Sequence, residues 1–102
     1  MLEVIKLSKA MADENRLRIT ALIARKKEAC VCEISDTLKL SQPLVSRHLK
    51  QLKEADVLES HKEGKWTLYA IHTNPTPLLQ SYLRALRELR SSLPAITSCI
   101  KR

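Results

Sequence analysis

The fold is decided by residues 41–49, which read Ser-Gln-Pro-Leu-Val-Ser-Arg-His-Leu. Ser41 is a strong helix N-cap, and Pro43 is tolerated in a first turn because its missing N–H has no helical partner there. The pattern predicts a helix that begins at Gln42 or Pro43 and ends near Ala55. Its inward face is predicted to hold Val45, Leu49 and Leu52.

A shorter helix is predicted just before this one, over residues 31–39, with Ile34 and Leu38 turned inward. Two helices joined by a tight turn form a helix-turn-helix. In that motif the second helix enters the major groove of DNA, and its N-terminal residues reach the base edges. The pair therefore predicts a DNA-reading unit.

Other elements extend from this unit in both directions. Before it, the sequence predicts a first helix within residues 1–12, and then a central buried helix that is capped by Asp13 and ends in three cations at residues 25–27. After it come two strands, Val57–His61 and Trp66–His72, joined by a turn that contains the only glycine. A last helix is predicted over residues 77–93, with a tail over 94–102.

The predicted fold is therefore mainly α with a β-hairpin wing, a winged helix-turn-helix in the order α-α-α-α-β-β-α. With 102 residues, the chain is expected to form a single domain over 1–102. A single glycine excludes glycine-rich phosphate loops. Charges interrupt every apolar stretch, so no membrane span or signal peptide is expected, and the predicted location is cytoplasmic, with reduced thiols.

The net charge of +7 and the pI near 9.6 suggest an anionic partner, for which nucleic acid is the usual choice. Residues 41–72 hold only 5 basic against 4 acidic groups, a surplus of +1. DNA contacts are therefore expected to depend on placement more than on bulk charge. The candidate contacts on the reading helix and the hairpin are Ser41, Gln42, Ser46, Arg47, His48, Lys50, Lys62 and Lys65.

Cys30 and Cys32 are the chemical feature of the sequence, because they stand at the start of the predicted third helix. Positions i and i+2 of an ideal helix point about 200° apart, so one ion can bind both only if the first turn opens. Thiolates select soft ions. The alternative is structural: Cys30 and Glu33 have the spacing of a capping box, with Cys in the usual place of Ser.

The sequence resembles the ArsR/SmtB family of dimeric winged-helix metal-sensing repressors. The resemblance rests on residues 10–19 (Ala-Met-Ala-Asp-Glu-Asn-Arg-Leu-Arg-Ile), 30–34 (Cys-Val-Cys-Glu-Ile) and 41–49, and on the wing, residues 64–69. It implies a homodimer joined by helices 1–12 and 77–93. It also implies double-stranded operator DNA that is bound without inducer and released with it.

Within that family, Cys-Val-Cys resembles the branch that senses As(III) or Sb(III), and also the sensors of Cd(II) or Pb(II). The resemblance implies Cys30 and Cys32 as metal ligands. Many arsenic sensors have a third Cys where this chain has Ser35, so Cys99 is the remaining candidate ligand. The last helix has no His over residues 77–93, which argues against a zinc or nickel site there.

Three other functions fit parts of the sequence. The same DNA reader could use the Cys pair as a redox switch, or the chain could be an architectural DNA protein without a sensor. A small thiol enzyme is a third alternative, but no Cys-His pair is near in sequence and no acid pair or Gly-rich loop is evident. We therefore predict a protein that is not an enzyme and that uses no enzyme cofactor.

Overall fold

The computed structural model of the protein describes residues 1–88. Five helices and three strands follow one another along these residues. Their bounds are α1 Leu2–Ala10, α2 Glu14–Lys26, β1 Glu28–Cys30, α3 Val31–Leu38, α4 Gln42–Glu54, β2 Leu58–Glu63, β3 Trp66–Ile71 and α5 Pro77–Glu88. The predicted winged helix-turn-helix is confirmed.

The sheet has one strand more than the sequence predicts. β3 lies in the middle, with β2 and β1 antiparallel on either side of it. β1 has 3 residues, Glu28–Cys30, and is too short to show a period-2 pattern in the sequence. Its pairing with β3, from Glu28 opposite Ala70 to Cys30 opposite Leu68, places Cys30 in the sheet and at the start of α3.

The helix starts follow the predicted caps. The Asp13 carboxylate accepts a hydrogen bond from the Arg16 N–H at 3.0 Å, and the Ser41 hydroxyl accepts one from the Leu44 N–H at 3.3 Å. Each bond satisfies one of the N–H groups that a helix start leaves without an internal partner. These two caps fix where α2 and α4 begin.

The core forms around α2, whose residues 19–23 are all buried, as expected of a central helix. The inward residues of α4 pack into the same cluster and are fully enclosed: Val45, Leu49 and Leu52. α5 lies against α2 and contributes Leu79 to this core. α4, the predicted reading helix, is thus packed into the core through one apolar face.

α1 is only partly buried. Leu7 is enclosed, but Leu2, Val4 and Ile5 are exposed. In α5, only Leu79 is fully enclosed among the described residues. Residues 89–93 of the predicted last helix, the tail over 94–102 and Cys99 lie outside the described residues. Over residues 1–88, no helix is both long enough and apolar enough to cross a bilayer.

Candidate nucleic-acid interface and thiol site

The turn between α3 and α4 sets the angle of the reading helix. Lys39 ends α3 in a left-handed conformation, with φ of 59°, and its N–H bonds to the Ser35 carbonyl. The Ser35 hydroxyl donates to the Leu40 carbonyl, which closes the turn from the other side. Ser35 therefore has a structural task here, at the position where the resemblance leads one to look for a third thiol.

The outward face of α4 is polar and exposed. Gln42, Ser46, Arg47 and Lys50 are all exposed, while the opposite face is buried. Gln suits adenine, Arg suits guanine, and Ser and Lys suit phosphates or bases. Ser41 is exposed at the N-terminal end of this face and caps the helix. These side chains are free of the core and can reach a groove.

The structure does not support His48 as a DNA contact. Its residue is only 7% exposed and belongs to the buried side of α4. Its Nδ1 atom lies 3.4 Å from Arg16 Nη1, and its Nε2 atom lies 3.9 Å from Asp13 Oδ2. His48 falls on the helix face that packs against the start of α2, so its burial argues against a base contact, and its part in DNA binding stays a prediction.

Arg16 is a residue whose role the sequence did not reveal. Its guanidinium donates to the carbonyl oxygens of Ala10 at 2.7 Å and Lys9 at 3.2 Å, both at the end of α1. It also donates to Gln51 Oε1 at 2.8 Å, and it lies beside His48, both on α4. One side chain on α2 thus links α1 to the reading helix.

The wing presents two cations at its tip. Lys62 and Lys65 are both exposed, and Gly64 supplies the positive φ of 63° that the tight turn requires. The Lys65 ammonium lies 5.8 Å from the ring centroid of Trp66, close enough for a cation–π interaction. On the other side, Lys53 Nζ donates to Ser60 Oγ at 2.7 Å, which ties the end of α4 to β2.

Cys30 occupies the junction between β1 and α3. Its backbone is extended, with φ of −94° and ψ of 166°, and it serves as the N-cap of α3. The residue is only 2% exposed. Cys30 therefore precedes the first turn of α3. If one ion bound both Cys30 and Cys32, the backbone would have to change at the junction between β1 and α3.

Glu33 completes the capping box that the spacing indicated. Its Oε1 atom accepts a hydrogen bond from the Cys30 N–H at 3.2 Å, and its Oε2 atom lies 3.0 Å from Lys26 Nζ. Burial raises the pKa of the Glu33 carboxyl, but the bonds from Lys26 and Cys30 together outweigh burial and leave that pKa below its ordinary value. The ammonium of Lys26 is thus paired with the Glu33 carboxylate.

Cys32 lies in the first turn of α3 and is partly exposed. Its sulfur is 3.9 Å from Asp36 Oδ2, one turn further along the helix. Within residues 1–88, neither Cys30 nor Cys32 belongs to a cluster of three potential metal ligands. Of the two, Cys30 is a free thiol and Cys32 is disulfide-bonded. Their sulfurs stand at one junction, one enclosed and one nearer the surface, and no third donor is grouped with them among residues 1–88.

Comparison with known families decides the class of protein. Residues 13–60, which run from the cap of α2 into β2, match the family described as bacterial regulatory protein, arsR family. The chain belongs to the ArsR family. In this ArsR-family protein the match covers the whole helix-turn-helix together with the Cys30–Cys32 segment.

Two curated relatives differ in the element they are named for. The arsenic resistance transcriptional regulator ArsR1 of Pseudomonas putida is 44% identical over 76% of this chain and 61% of its own length. The cadmium resistance regulatory protein CadC of Listeria innocua is 41% identical over 62% of this chain and 53% of its own length. The chain thus spans only part of the length of these relatives.

A solved structure shares the fold of this chain. Reduced HlyU from Vibrio cholerae superposes with a TM-score of 0.74 and 30% identity, over 86% of this chain and 88% of that one. Fold and family agree: the described residues form a winged helix-turn-helix, and the chain belongs to the ArsR family of bacterial regulatory proteins.

Proposed function

We propose that this ArsR-family protein is a repressor that binds operator DNA as a homodimer and releases it when As(III) or Sb(III) binds the thiolates of Cys30 and Cys32. The observation that carries the proposal is the position of Cys30. This residue caps α3, and α3 packs directly on the reading helix α4. A change at the Cys30 thiol can therefore alter the angle of α4 through α3.

The mechanism follows from burial. Cys30 is enclosed and extended, whereas Cys32 is partly exposed in the first turn of α3. A single ion that binds both sulfurs must draw Cys30 out of its site and disturb the capping box with Glu33. Because α3 ends in the closed turn at Lys39, a shift at its start is passed to α4.

Binding of arsenite at this junction would be a ligand exchange. Arsenite is As(OH)₃ at neutral pH, and each As–S bond that forms replaces an As–OH bond. The thiol proton leaves on that hydroxide as one water molecule. Cys99 is proposed as a third ligand, from the same subunit or across the dimer, and it would add a third exchange of the same kind.

Cd(II) or Pb(II) is the second candidate inducer. The relative named for cadmium resistance favours it, because that protein matches this chain at 41% identity. Thiolates bind these ions and trivalent arsenic alike. Both proposals use Cys30 and Cys32 as ligands, and they differ in which ion releases the operator DNA more strongly.

The dimer is proposed to form through α1 and α5. Leu2, Val4 and Ile5 expose apolar surface along α1. A small domain gains stability when such a surface is covered by a second copy. Two reading helices would then address half-sites one helical turn of DNA apart, roughly 34–36 Å.

Arsenite should weaken operator binding at least about tenfold, within the range of ordinary allosteric coupling. Fluorescence anisotropy would be measured with a labelled operator fragment and reduced protein, with and without arsenite, and then with Cd(II). Cys30→Ser and Cys32→Ser should keep their DNA affinity and lose the response. Unchanged affinity of the wild type in both ions would contradict the sensor proposal.

Arg47→Ala should reduce operator affinity about tenfold, because a bidentate contact with guanine contributes about 1–3 kcal/mol of discrimination. Arg47→Lys is the matched control for charge, since it keeps the cation but not the planar fork. If Arg47 reads a base, both variants lose preference for the operator over unrelated DNA. If the lysine variant binds like the wild type, Arg47 contacts phosphate only.

A further inference from the structure

Three side chains outside the thiol site meet on one face of the sheet. They are Glu28, His61 and Glu63. Cys30 pairs with Leu68, and Leu68 pairs with His61, so Cys30 and His61 lie in one row across the strands. Glu28 is two residues from Cys30, and Glu63 is two residues from His61. Alternation along a strand therefore puts Glu28, His61 and Glu63 on the same face.

Their ligand atoms are close together. His61 Nε2 lies 3.7 Å from Glu28 Oε2 and 3.9 Å from Glu63 Oε2, and all three ligand atoms fall within 4.8 Å of one another. Metal–ligand bonds of about 2.0–2.2 Å in a tetrahedron place ligand atoms about 3.3–3.6 Å apart. The side chains are 44–70% exposed, so small rotations can close the remaining gap.

We propose that Glu28, His61 and Glu63 form a binding site for a divalent cation of the zinc class. One imidazole and two carboxylates are ligands that Zn(II) accepts, and three protein ligands with water in the fourth position make a familiar open site. Two carboxylates around one imidazole leave excess negative charge there, which a dication neutralises. Imidazole nitrogen and carboxylate oxygen are harder donors than thiolate sulfur, which separates this site from the soft thiol pair.

The bound ion would join two strands that are not paired with each other. Glu28 belongs to β1 and His61 and Glu63 belong to β2, while β3 runs between them. A metal bridge would fasten the wing to the strand that ends at Cys30. The site is independent of arsenite sensing and does not require the function proposed above to be correct.

The test uses the 102-residue chain with Cys32→Ser and Cys99→Ser, in which one buried thiol remains and no thiol pair competes for metal. Isothermal titration with zinc chloride at neutral pH should give one Zn(II) per chain with micromolar affinity. His61→Ala and Glu28→Gln should each weaken binding about tenfold or more, since each removes a ligand. Glu63→Gln should weaken binding as well, and because the Glu63 side chain is 70% exposed, this substitution should not disturb folding.

His72→Ala is the matched control, because His72 lies just beyond the wing and outside the cluster. It should bind Zn(II) like its parent. A long-range nitrogen NMR spectrum should show a shift of the His61 ring nitrogens on titration. Absence of saturable binding in the micromolar range, or unchanged affinity in His61→Ala, would overturn the site and would leave the repressor proposal untouched.

Discussion

Arg16→Ala should lower the free energy of unfolding by about 3 kcal/mol, because hydrogen bonds from a charged donor contribute about 1.5–3 kcal/mol each and do not add fully. The guanidinium bonds to Ala10 and Lys9 on one side and to Gln51 on the other. Its removal would also take away the guanidinium that lies beside Nδ1 of the enclosed His48 ring. Urea unfolding followed by circular dichroism measures the loss.

The same variant should weaken operator binding, since α4 would lose its link to α1. Arg18→Ala is the control, as Arg18 stands on the same helix and makes no comparable set of bonds among residues 1–88. Arg16→Lys keeps the charge but cannot bond to three groups in different directions, and it should recover only a small part of the stability. If Arg18→Ala and Arg16→Ala unfold alike, the link has no special role.

Local signals predicted most of the fold. Asp13 and Ser41 each have a short side chain whose oxygen bonds to an N–H three residues later, so the starts of α2 and α4 could be placed from sequence. The apolar spacing of Val45, Leu49 and Leu52 gave the correct inward face of α4. Helix caps and apolar spacing depend only on residues that are close together in the sequence, so they can be recognised without the structure.

Contacts between distant residues were beyond such signals. β1 has 3 residues and exists only because β3, about 40 positions later, offers an edge to pair with. His48 looked like a surface residue in Ser-Arg-His, yet its ring is enclosed beside Arg16, 32 positions earlier. The sequence predicted a polar helix face correctly but could not tell which member of it is covered by another helix.

The thiol site was predicted in part. The spacing of Cys30 and Glu33 indicated a capping box, and both halves of it are present. The spacing could not show that Cys30 and Glu33 are both buried. Because it is buried, the Glu33 carboxylate needs the Lys26 ammonium as its counter-ion. The residue types indicate soft-ion chemistry, whereas the enclosure of Cys30 indicates that such chemistry must work against a folded junction.

Glu33→Ala should destabilise the protein by about 3 kcal/mol, because the buried Cys30 N–H loses its acceptor and Lys26 loses its counter-ion. Glu33→Gln should cost less, about 1 kcal/mol, since an amide oxygen can still accept from Cys30. Thermal and urea unfolding of the reduced protein measure both values. The graded loss would identify the hydrogen bond and the ion pair as separate contributions.

Lys26→Met provides the reciprocal variant, in which the Glu33 carboxylate stays buried without its cation. That change should be more damaging than Glu33→Gln, because an unpaired buried charge is left behind. In the double variant Lys26→Met/Glu33→Gln no such charge remains, so part of the stability should return. Losses that simply add in this double-mutant cycle would mean that Lys26 does not hold Glu33, and that the start of α3 is fixed by the Cys30 hydrogen bond alone.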